Sequence, residues 1–495
     1  MGVDVQVEYP FIGGERVRSG EPALFDAVNP ATEEVLARVV ASGDALVDQA
    51  VSAAAEAQRV WASWAPSRRG ELLWRWSDLI AAESRQLAET DTRNMGKALR
   101  DGLADGPGVA KFIRYWAGKA DKIWGDQVPA TPGHLSYTAR VPLGVYGIII
   151  PWNGPTHGFA SRVAPALACG NAVVVKPSEY SPLTAGRLAE LTVQAGMPPG
   201  LVNVVPGDGT TGAAVAAHPG IGGLSFTGSV PTGRAIARAA ADSFKRLVLE
   251  MGGKSPNVVF ADADLDAALR GSLWGVFYNA GQVCVAGTRL LVERSIAAEF
   301  TARLVRAAAR IRVGDPMDVA NHVGPLVSGK QYARVGDYLK IAADEGAEVA
   351  CGGSRPPGAP AAGYFLSPAV LTGLQPSMRI AQEEIFGPVL SVLTFTGEDD
   401  AIALANQVEY GLSATIWTQD IGRMLRVADQ LESGTIWGNT MRLNDPALPF
   451  GGFKNSGLGN AYAEGAVEGA TRTKRVSIRF DPAARTPGWD DITLN

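Results

Sequence analysis

One cysteine stands in a segment that suits covalent chemistry. In the stretch YNAGQVCVAG, Cys284 lies between two valines and follows a glycine by three positions. A thiol among small apolar residues is either a core residue or a nucleophile displayed on a tight turn. The segment alone leaves both interpretations open. The other two cysteines, Cys169 in LACGNA and Cys351 at the start of a glycine-rich loop, are interpreted as structural.

Four further segments place polar side chains directly after apolar, strand-like runs. They contribute Asn153 in PWNGP, Lys176 and Glu179 in VVVKPSEYSP, Ser229 in SFTGSVPTGR, and Glu250 in LEMGGKSP. Open α/β sheets bind ligands beyond the carboxyl ends of their strands, and the first amides of a helix can hold a phosphate. Each segment also has an ordinary explanation as a helix cap, a surface turn or a solvated acid. Their common placement favours a ligand site.

The elements that must carry these side chains alternate along the chain. Residues 44–97 have apolar residues at helical spacing, and we expect the first hundred residues to be largely helical. Short apolar strands and helical segments then alternate from 144 to 253 and again from 256 to 437, which predicts α/β structure around largely parallel sheets. Two segments, 133–143 and 473–480, alternate polar and apolar residues and are expected to pair outside these blocks.

Composition excludes several classes of function. Hydrophobic residues make up 46% of the chain and charged residues 19%, with a formal net charge of −5 and no basic tract, so nucleic acid is not an expected partner. No apolar run is long enough to cross a membrane, and the start has no secretory pattern. An odd number of cysteines and four scattered histidines predict a reducing, cytoplasmic location and no bound metal.

A dinucleotide-like fingerprint occurs at 207–212 and carries little weight. GDGTTG matches G-x-G-x-x-G after a strand, with Gly209 at its centre. The ordinary fingerprint needs an acidic residue about 20 positions later to hold a ribose hydroxyl. Between Asp208 and Asp242 there is no Asp or Glu. Glycines at a strand-to-helix turn are common for steric reasons alone.

Seven motifs together resemble the aldehyde dehydrogenase superfamily. PWNGP, KPSE, FTGS, LEMGGKSP, GQVCVAG, EEIFGPV and PFGGFKNSG occur in that family's order and spacing, and the similarity runs from NPATEEVLA to TKRVSI. The resemblance implies a Rossmann-like cofactor domain (1–120 and 144–251) and an α/β catalytic domain (252–440). It also implies a small β oligomerisation arm (121–143 and 473–495) and a return segment (441–472). A homodimer or homotetramer is therefore expected.

The resemblance implies covalent catalysis by Cys284. Its thiolate would attack an aldehyde, and the resulting oxyanion would be stabilised by the amide of Asn153 and the backbone N–H of residue 284. Loss of hydride to the cofactor would leave a thioester, which water activated by Glu250 would hydrolyse to the free acid. Family members that transfer the acyl group to coenzyme A lack this glutamate. A cofactor-independent thiol hydrolase or acyltransferase and a non-enzymatic relative are the competing interpretations.

The resemblance also implies which residues contact the cofactor, through the match of each motif to its counterpart in the family. Lys176 and Glu179 resemble the residues that hold the adenosine ribose, Ser229 the pyrophosphate site, and Glu384 with Phe386 the nicotinamide site. Because a carboxylate accepts bonds from ribose hydroxyls and repels a 2′-phosphate, Glu179 favours NAD over NADP. The remaining expected cofactor residues are Pro151, Trp152, Ser178, Gly209, Phe226, Thr227, Gly228, Thr232, Met251 and Gly252.

Departures from the family pattern indicate the size and polarity of the aldehyde substrate. Small residues replace the usual bulky side chains of the substrate tunnel, which predicts a wide, partly polar tunnel for a bulky, aromatic or semialdehyde-type substrate. The expected substrate residues are Gly154, His157, Gly158, Ser161, Tyr278, Arg442, Asn444 and Phe450. Asn460 and Ala461 replace the family's usual Arg-Glu, and we expect this change to affect contacts near a subunit interface rather than the chemistry.

Overall fold

The computed structural model describes residues 6–18 and 23–484. Its helices lie mostly between the strands, as the sequence predicts. They are α1 (Asp44–Ser63), α2 (Pro66–Ala82), α3 (Ser84–Met95), α4 (Leu99–Lys119), α5 (Pro155–Ala168), α6 (Leu183–Gln194), α7 (Gly209–Ala217), α8 (Val230–Ala241), α9 (Leu265–Phe277), α10 (Ala297–Ala308), α11 (Gly329–Asp344), α12 (Arg379–Gln382), α13 (Gly397–Asn406), α14 (Ile421–Gln430) and α15 (Ala463–Ala470).

The strands are short. In chain order they are β1 (Val7–Glu8), β2 (Phe11–Ile12), β3 (Glu15–Arg16), β4 (Leu24–Val28), β5 (Val35–Val40), β6 (His134–Pro142), β7 (Val145–Ile149), β8 (Ala172–Lys176), β9 (Val202–Val204), β10 (Ile221–Thr227), β11 (Arg246–Glu250), β12 (Pro256–Val259), β13 (Arg289–Glu293), β14 (Glu348–Cys351), β15 (Ala369–Thr372), β16 (Val389–Phe395), β17 (Tyr410–Gly411), β18 (Ser413–Trp417), β19 (Thr435–Gly438), β20 (Phe453–Lys454), β21 (Gly457–Leu458) and β22 (Thr471–Arg479).

The first large sheet has eight strands in the order β21-β11-β10-β7-β8-β9-β2-β3. Its five central strands, β11 to β9 in that order, are parallel. Strands β7 and β8 are buried along their whole length because helices cover both faces, which accounts for apolar runs such as AVVV at 172–175. Trp61, Trp76 and Trp116 belong to its core. Parallel strands bring their carboxyl ends to one edge.

The second large sheet has seven strands in the order β14-β15-β16-β13-β12-β18-β19. All neighbouring pairs are parallel except β14 with β15. Cys351 is the last residue of β14, so it ends a strand directly before the glycine-rich loop. Helices α9 and α10 pack on this sheet with a core that includes Phe277 and Phe300. The sequence correctly predicted two alternating blocks.

The smaller sheets include one confirmed prediction and one correction. Strand β6 pairs with β22 in nine antiparallel register positions, as expected for the two outlying segments. The prediction that the first hundred residues are largely helical is wrong before residue 44, where β1 to β5 form short strands. Those strands are too short and too mixed in burial to give a clear alternation. Residues 1–5 and 485–495, which begin and end the predicted domains, lie outside the described residues.

No helix within residues 6–18 and 23–484 is long and apolar enough to cross a membrane.

Candidate active site

The predicted side chains at strand ends gather at the carboxyl edge of the first sheet. Lys176 is the last residue of β8, and Glu250 is the last residue of β11. Glu250 lies in register with Thr227, which ends β10. Asn153 follows β7 and precedes α5, the helix that begins at Pro155. The ligand-site prediction is therefore geometrically consistent.

Cys284 is held by a turn of unusual backbone conformation. Helix α9 ends at Phe277, and the following turn contains three consecutive residues with positive φ, namely Asn279 (52°), Ala280 (56°) and Gly281 (71°). A side chain at Gly281 would collide with the carbonyl of Gly387, so this position requires glycine. Such strain persists only where the surroundings impose it. The nucleophile candidate is on a tight turn and not in a relaxed core.

Hydrogen bonds tie this turn to the first sheet. The Nδ2 atom of Asn279 donates to the carbonyl of Asn153 at 3.1 Å, and Nδ2 of Asn153 donates to the carbonyl of Gln282 at 3.0 Å. The side chain of Gln282 bonds back to the carbonyl of Asn279 and accepts from the N–H of Val327. Asn153 and Cys284, which are 131 positions apart, are thereby fixed relative to each other.

All three predicted catalytic residues line one cavity of about 340 Å³. Every predicted substrate residue lines it as well. These lining residues are Asn153, Glu250, Cys284, Gly154, His157, Gly158, Ser161, Tyr278, Arg442, Asn444 and Phe450. The structure thus brings together residues from four separate parts of the sequence.

Burial dominates the electrostatics at the inner end of this cavity. It raises the pKa of Glu250 to about 8, and the nearby guanidinium of Arg162 opposes that rise. Burial, together with Glu384 and Glu250, raises the pKa of the Cys284 thiol to about 12. The thiol is therefore protonated at neutral pH in this conformation, and it needs a base to accept its proton as it reacts.

Residues expected to bind the adenosine end of a cofactor form a second group. The Nζ atom of Lys176, at the end of β8, lies 3.3 Å from Oε2 of Glu179, whose carboxylate remains partly exposed. Ser229 caps α8 by accepting a bond from the N–H of Thr232. An exposed carboxylate beside a lysine and a capped helix start suit ribose hydroxyls and a pyrophosphate.

Residues expected at the nicotinamide end lie on the catalytic side. A side chain at Gly252 would collide with the carboxylate of Glu384, and the N–H of Gly253 donates to that carboxylate at 3.1 Å. Gly252 and Gly253 therefore leave room for the carboxylate of Glu384. The rings of Trp152 and Phe386 meet edge to face at 5.2 Å. These features fit a nicotinamide nucleotide.

Some of the remaining expected cofactor residues line the cavity, and the others lie at nearby strand ends and helix starts. Pro151, Thr227 and Met251 line the cavity, whereas Gly209 is the first residue of α7 with open space around it. Phe226 and Gly228 flank the end of β10, Ser178 lies between Lys176 and Glu179, and Thr232 is in the first turn of α8.

The tunnel wall next to the cavity is open where small residues replace larger ones. No atom outside its immediate neighbours lies within 4 Å of a Cβ built on Gly154, and only Ile150 and Pro151, at 3.9 Å, approach one built on Gly158. Burial lowers the pKa of His157 to about 4, so this imidazole is neutral. Open space therefore surrounds Gly154 and Gly158, and His157 adds no charge to this wall.

An ion-paired cluster forms the outer wall, and its members Lys97 and Asp105 were missed from the sequence. The Nζ atom of Lys97 lies 2.8 Å from Oδ2 of Asp105, which also accepts from the hydroxyl of Tyr278 at 2.8 Å. The guanidinium carbon of Arg442 lies 3.6 Å from the centroid of the Tyr278 ring and 4.7 Å from that of Trp274. Tyr278 is an aromatic wall as predicted, and it also supports two polar neighbours.

Two inner residues were also missed. Arg162 lines the cavity four positions after Gly158 on α5, so helical spacing could have indicated it. Tyr462 lines the cavity and stacks on Phe450 with ring centroids 5.3 Å apart. Asn460 and Ala461 lie directly before Tyr462, and the N–H of Ala461 donates to the carbonyl of Phe450, so this segment adjoins the cavity. The effect of these two residues on an interface stays a prediction.

Comparisons with known proteins agree with this geometry. The model of the aldehyde dehydrogenase family matches residues 17–476. A betaine aldehyde dehydrogenase of Rhizobium etli is 42% identical over 476 residues, covering 96% of this chain and 98% of that protein. Aldehyde dehydrogenase 1A1 of Mesocricetus auratus is 42% identical and covers 96% of each chain.

A solved structure extends the similarity to three dimensions and to a cofactor. An aldehyde dehydrogenase from Bacillus cereus in complex with NAD⁺ superposes with a TM-score of 0.94 at 40% identity, covering 96% of this chain and 97% of that one. The chain belongs to the aldehyde dehydrogenase family and is an NAD(P)-dependent oxidoreductase that converts an aldehyde into its acid.

Proposed function

We propose that this enzyme uses NAD to oxidise a bulky aldehyde that carries a carboxylate, such as an aromatic or aliphatic semialdehyde, to the free acid. The observation that carries this proposal is the single cavity in which Cys284, Glu250 and Asn153 meet beside two arginines, Arg162 and Arg442. Within the described residues, Nε and Nη1 of each arginine are buried without a hydrogen-bond acceptor.

Formation of the covalent adduct is assigned to Cys284 and Asn153. The thiol loses its proton to water, and the resulting thiolate sulfur attacks the carbonyl carbon. Nδ2 of Asn153 uses one N–H for the carbonyl of Gln282, so its second N–H is free for the developing oxyanion. Losing one such donor typically slows a reaction by about 10²–10³. A bound nicotinamide supplies the acceptor for the hydride.

Release of the acid is assigned to Glu250. Its carboxylate removes a proton from water as that water attacks the thioester on Cys284. Burial holds the pKa of this carboxyl near 8, so the carboxylate is a stronger base than a solvated glutamate would be. Transfer of the acyl group to water rather than to coenzyme A follows from a base at this position.

Charge supports the anionic substrate class. Lys97 is paired with Asp105, so its charge is compensated, whereas the guanidinium groups of Arg162 and Arg442 keep N–H groups free. Betaine aldehyde, which names one relative, is a cation, and two such guanidinium groups would repel it. A carboxylate on the substrate would instead accept bonds from Arg442 at the outer end.

Preference for NAD over NADP rests on Glu179. Its carboxylate is available for the ribose hydroxyls, and it would repel a 2′-phosphate in the same position. The partner Lys176 offsets part of that repulsion. Replacing Glu179 by Gln should therefore lower the KM for NADP and raise that for NAD. A wild-type KM for NADP below that for NAD would contradict the preference.

The deciding experiment measures NADH formation with matched pairs of aldehydes. 4-Formylbenzoate is compared with benzaldehyde, succinic semialdehyde with butanal, and betaine aldehyde with 3,3-dimethylbutanal, with C284A as the control. We expect the anionic member to have the higher kcat/KM in the first two pairs and betaine aldehyde to have the lower in the third. Preference for betaine aldehyde would refute the anionic assignment. Thioester hydrolysis without any NADH formation would favour a thiol hydrolase or acyltransferase.

Oligomer formation and the domain boundaries given above are part of the same proposal. The β6–β22 pair carries exposed apolar residues, Ile478 and the adjoining Phe480, and the nearby Trp124 is 72% exposed. Exposed apolar surface next to an unpaired strand edge suits pairing between subunits. We expect the mass in light scattering to be that of a dimer or tetramer. A monomer at micromolar concentration would refute this assignment.

A further inference from the structure

Two buried groups of opposite charge lack partners at the inner end of the cavity. Both carboxylate oxygens of Glu250 are buried without a side-chain donor among the described residues, and the backbone N–H of Ala461 is the donor group beside them. In Arg162, Nε and Nη1 are also buried without an acceptor in that part of the chain. Buried polar groups are normally paired, because each one left unpaired is costly. Two complementary groups of this kind in one cavity indicate that they serve a step of the reaction.

Strand register places these groups side by side. The third guanidinium nitrogen, Nη2 of Arg162, donates to the hydroxyl of Thr227 at 3.2 Å. Thr227 and Glu250 are register partners on the parallel strands β10 and β11. Neighbouring strands lie about 4.8 Å apart, and the side chains of register partners leave the sheet on the same face. The guanidinium and the carboxylate therefore lie on the same face of the sheet, close enough for the charge of Arg162 to lower the pKa of Glu250.

We propose that Arg162 is a positioning residue that holds the carboxylate of Glu250, directly or through one water, while that carboxylate activates the hydrolytic water. The inference rests on the proposed role of Glu250 as the base. It assigns Arg162 to hydrolysis of the acyl-enzyme and not to binding of the substrate's carboxylate, which is left to Arg442. A fork of N–H donors suits this task because it fixes the direction of a carboxylate as well as its charge.

The titratable groups that face Glu250 agree with this assignment. They are Arg162 on α5, Cys284 on its turn, and Tyr462 on the segment before α15. Burial keeps the Tyr462 hydroxyl protonated, and Cys284 carries no charge once it is acylated. During hydrolysis Arg162 is therefore the cation beside this carboxylate. Removing it raises the pKa of Glu250, so less of the base is ionised at neutral pH.

The test follows the acyl-enzyme directly and uses an uncharged aldehyde. Wild type, R162M, R162K and E250Q are mixed with NAD and butanal, quenched in acid at intervals, and the thioester mass on Cys284 is followed by mass spectrometry from pH 6 to 9. Butanal removes any contribution from binding an anion. We expect R162M to form the thioester with a normal NADH burst. The thioester of R162M should hydrolyse at least tenfold more slowly than that of wild type at pH 7. The midpoint of the plot of hydrolysis rate against pH should be higher by about one pH unit or more.

The lysine variant separates charge from geometry. R162K keeps a cation but loses the fork, so its midpoint should stay near that of wild type while its hydrolysis is slower. Hydrolysis at the wild-type rate and midpoint in R162M would overturn the proposal, and so would a lost NADH burst with butanal in both Arg162 variants. Normal hydrolysis in E250Q would instead refute the role of Glu250 itself, which distinguishes the two failures.

Discussion

The Lys97–Asp105–Tyr278 cluster at the outer wall and the groups at the inner end of the cavity treat buried charge in opposite ways. At the outer wall, Lys97, Asp105 and Tyr278 satisfy one another within 2.8 Å. At the inner end, the buried polar atoms of Glu250 and most of those of Arg162 have no partner among the described residues. Groups that satisfy one another stabilise the wall, whereas groups left unpaired are available to a ligand or a reacting water. Arg442, although it is at the outer wall, is unpaired like Arg162 within the part of the chain that the structure describes. We therefore expect substitutions of the unpaired groups to change chemistry or substrate choice, and substitutions in the Lys97–Asp105–Tyr278 cluster to change stability.

The largest effect should come from the inner thiol. C284A removes the nucleophile, and NADH formation should fall by about 10⁴ or more, as for other enzymes that lose a covalent nucleophile. The matched control is C169A, since Cys169 is a buried core thiol outside the cavity. Activity of C284A above one per cent of wild type, or an equal loss in C169A, would break the distinction between the two cysteines.

The next effect separates the two halves of the reaction. E250Q should release one NADH per active site and then stall, with hydrolysis slower by about 10²–10⁴. In wild type, hydrolysis should increase with pH through about 8, because only the ionised carboxylate acts as a base and its pKa is raised. Rapid-quench measurements from pH 6 to 9 check both points. Steady turnover by E250Q would show that another group activates the water.

A stability measurement sharpens the comparison between the two ends. K97M leaves Asp105 without its cation, and we expect the free energy of unfolding to fall by about 1–3 kcal/mol, a value reduced because Asp105 is partly exposed. E250L removes an unpaired buried carboxyl, so it should leave the melting temperature unchanged or raise it. Calorimetry on both variants tests this contrast. A larger loss of stability in E250L than in K97M would reverse our interpretation of the two ends.

The smallest effect concerns substrate choice at the outer end. R442A should reduce the preference for 4-formylbenzoate over benzaldehyde by about tenfold, which corresponds to ~1.4 kcal/mol of differential binding. The effect should appear in KM more than in kcat, because Arg442 stacks on Tyr278 and is assigned to the substrate's carboxylate rather than to its carbonyl. If the ratio of kcat/KM values is unchanged, Arg442 supports the aromatic wall and does not select the substrate.

Much of the site could be predicted from sequence because its polar residues stand at the ends of recognisable apolar strands. Asn153, Lys176, Ser229 and Glu250 each follow an apolar run, and parallel strands bring such ends to one edge. The pairing of Asp105 with Tyr278 could not be predicted in this way, since 173 positions separate the two residues and Asp105 lies in no recognisable motif. Contacts between distant segments depend on how the helices pack, and no local spacing encodes that packing.

The tight turn at Cys284 was predicted only in part. Asn279 and Gly281 are residues that tolerate positive φ, and they suggest a turn. Ala280 has no such tendency, yet its φ is 56°. Its conformation is imposed by neighbours on other elements, including the carbonyls of Asn153 and Gly387.

The left-handed backbone of residues 279–281 has a consequence for thermal inactivation of the enzyme. Each non-glycine residue in this conformation costs about 1–2 kcal/mol, so the turn relaxes whenever its surroundings loosen. The contacts that hold it come from the carbonyl of Asn153, beyond β7, and from Val327, ahead of α11. The turn therefore loses its conformation when either of these two regions loosens. On warming, we expect catalytic half-life to shorten at temperatures where circular dichroism still shows intact helices and strands.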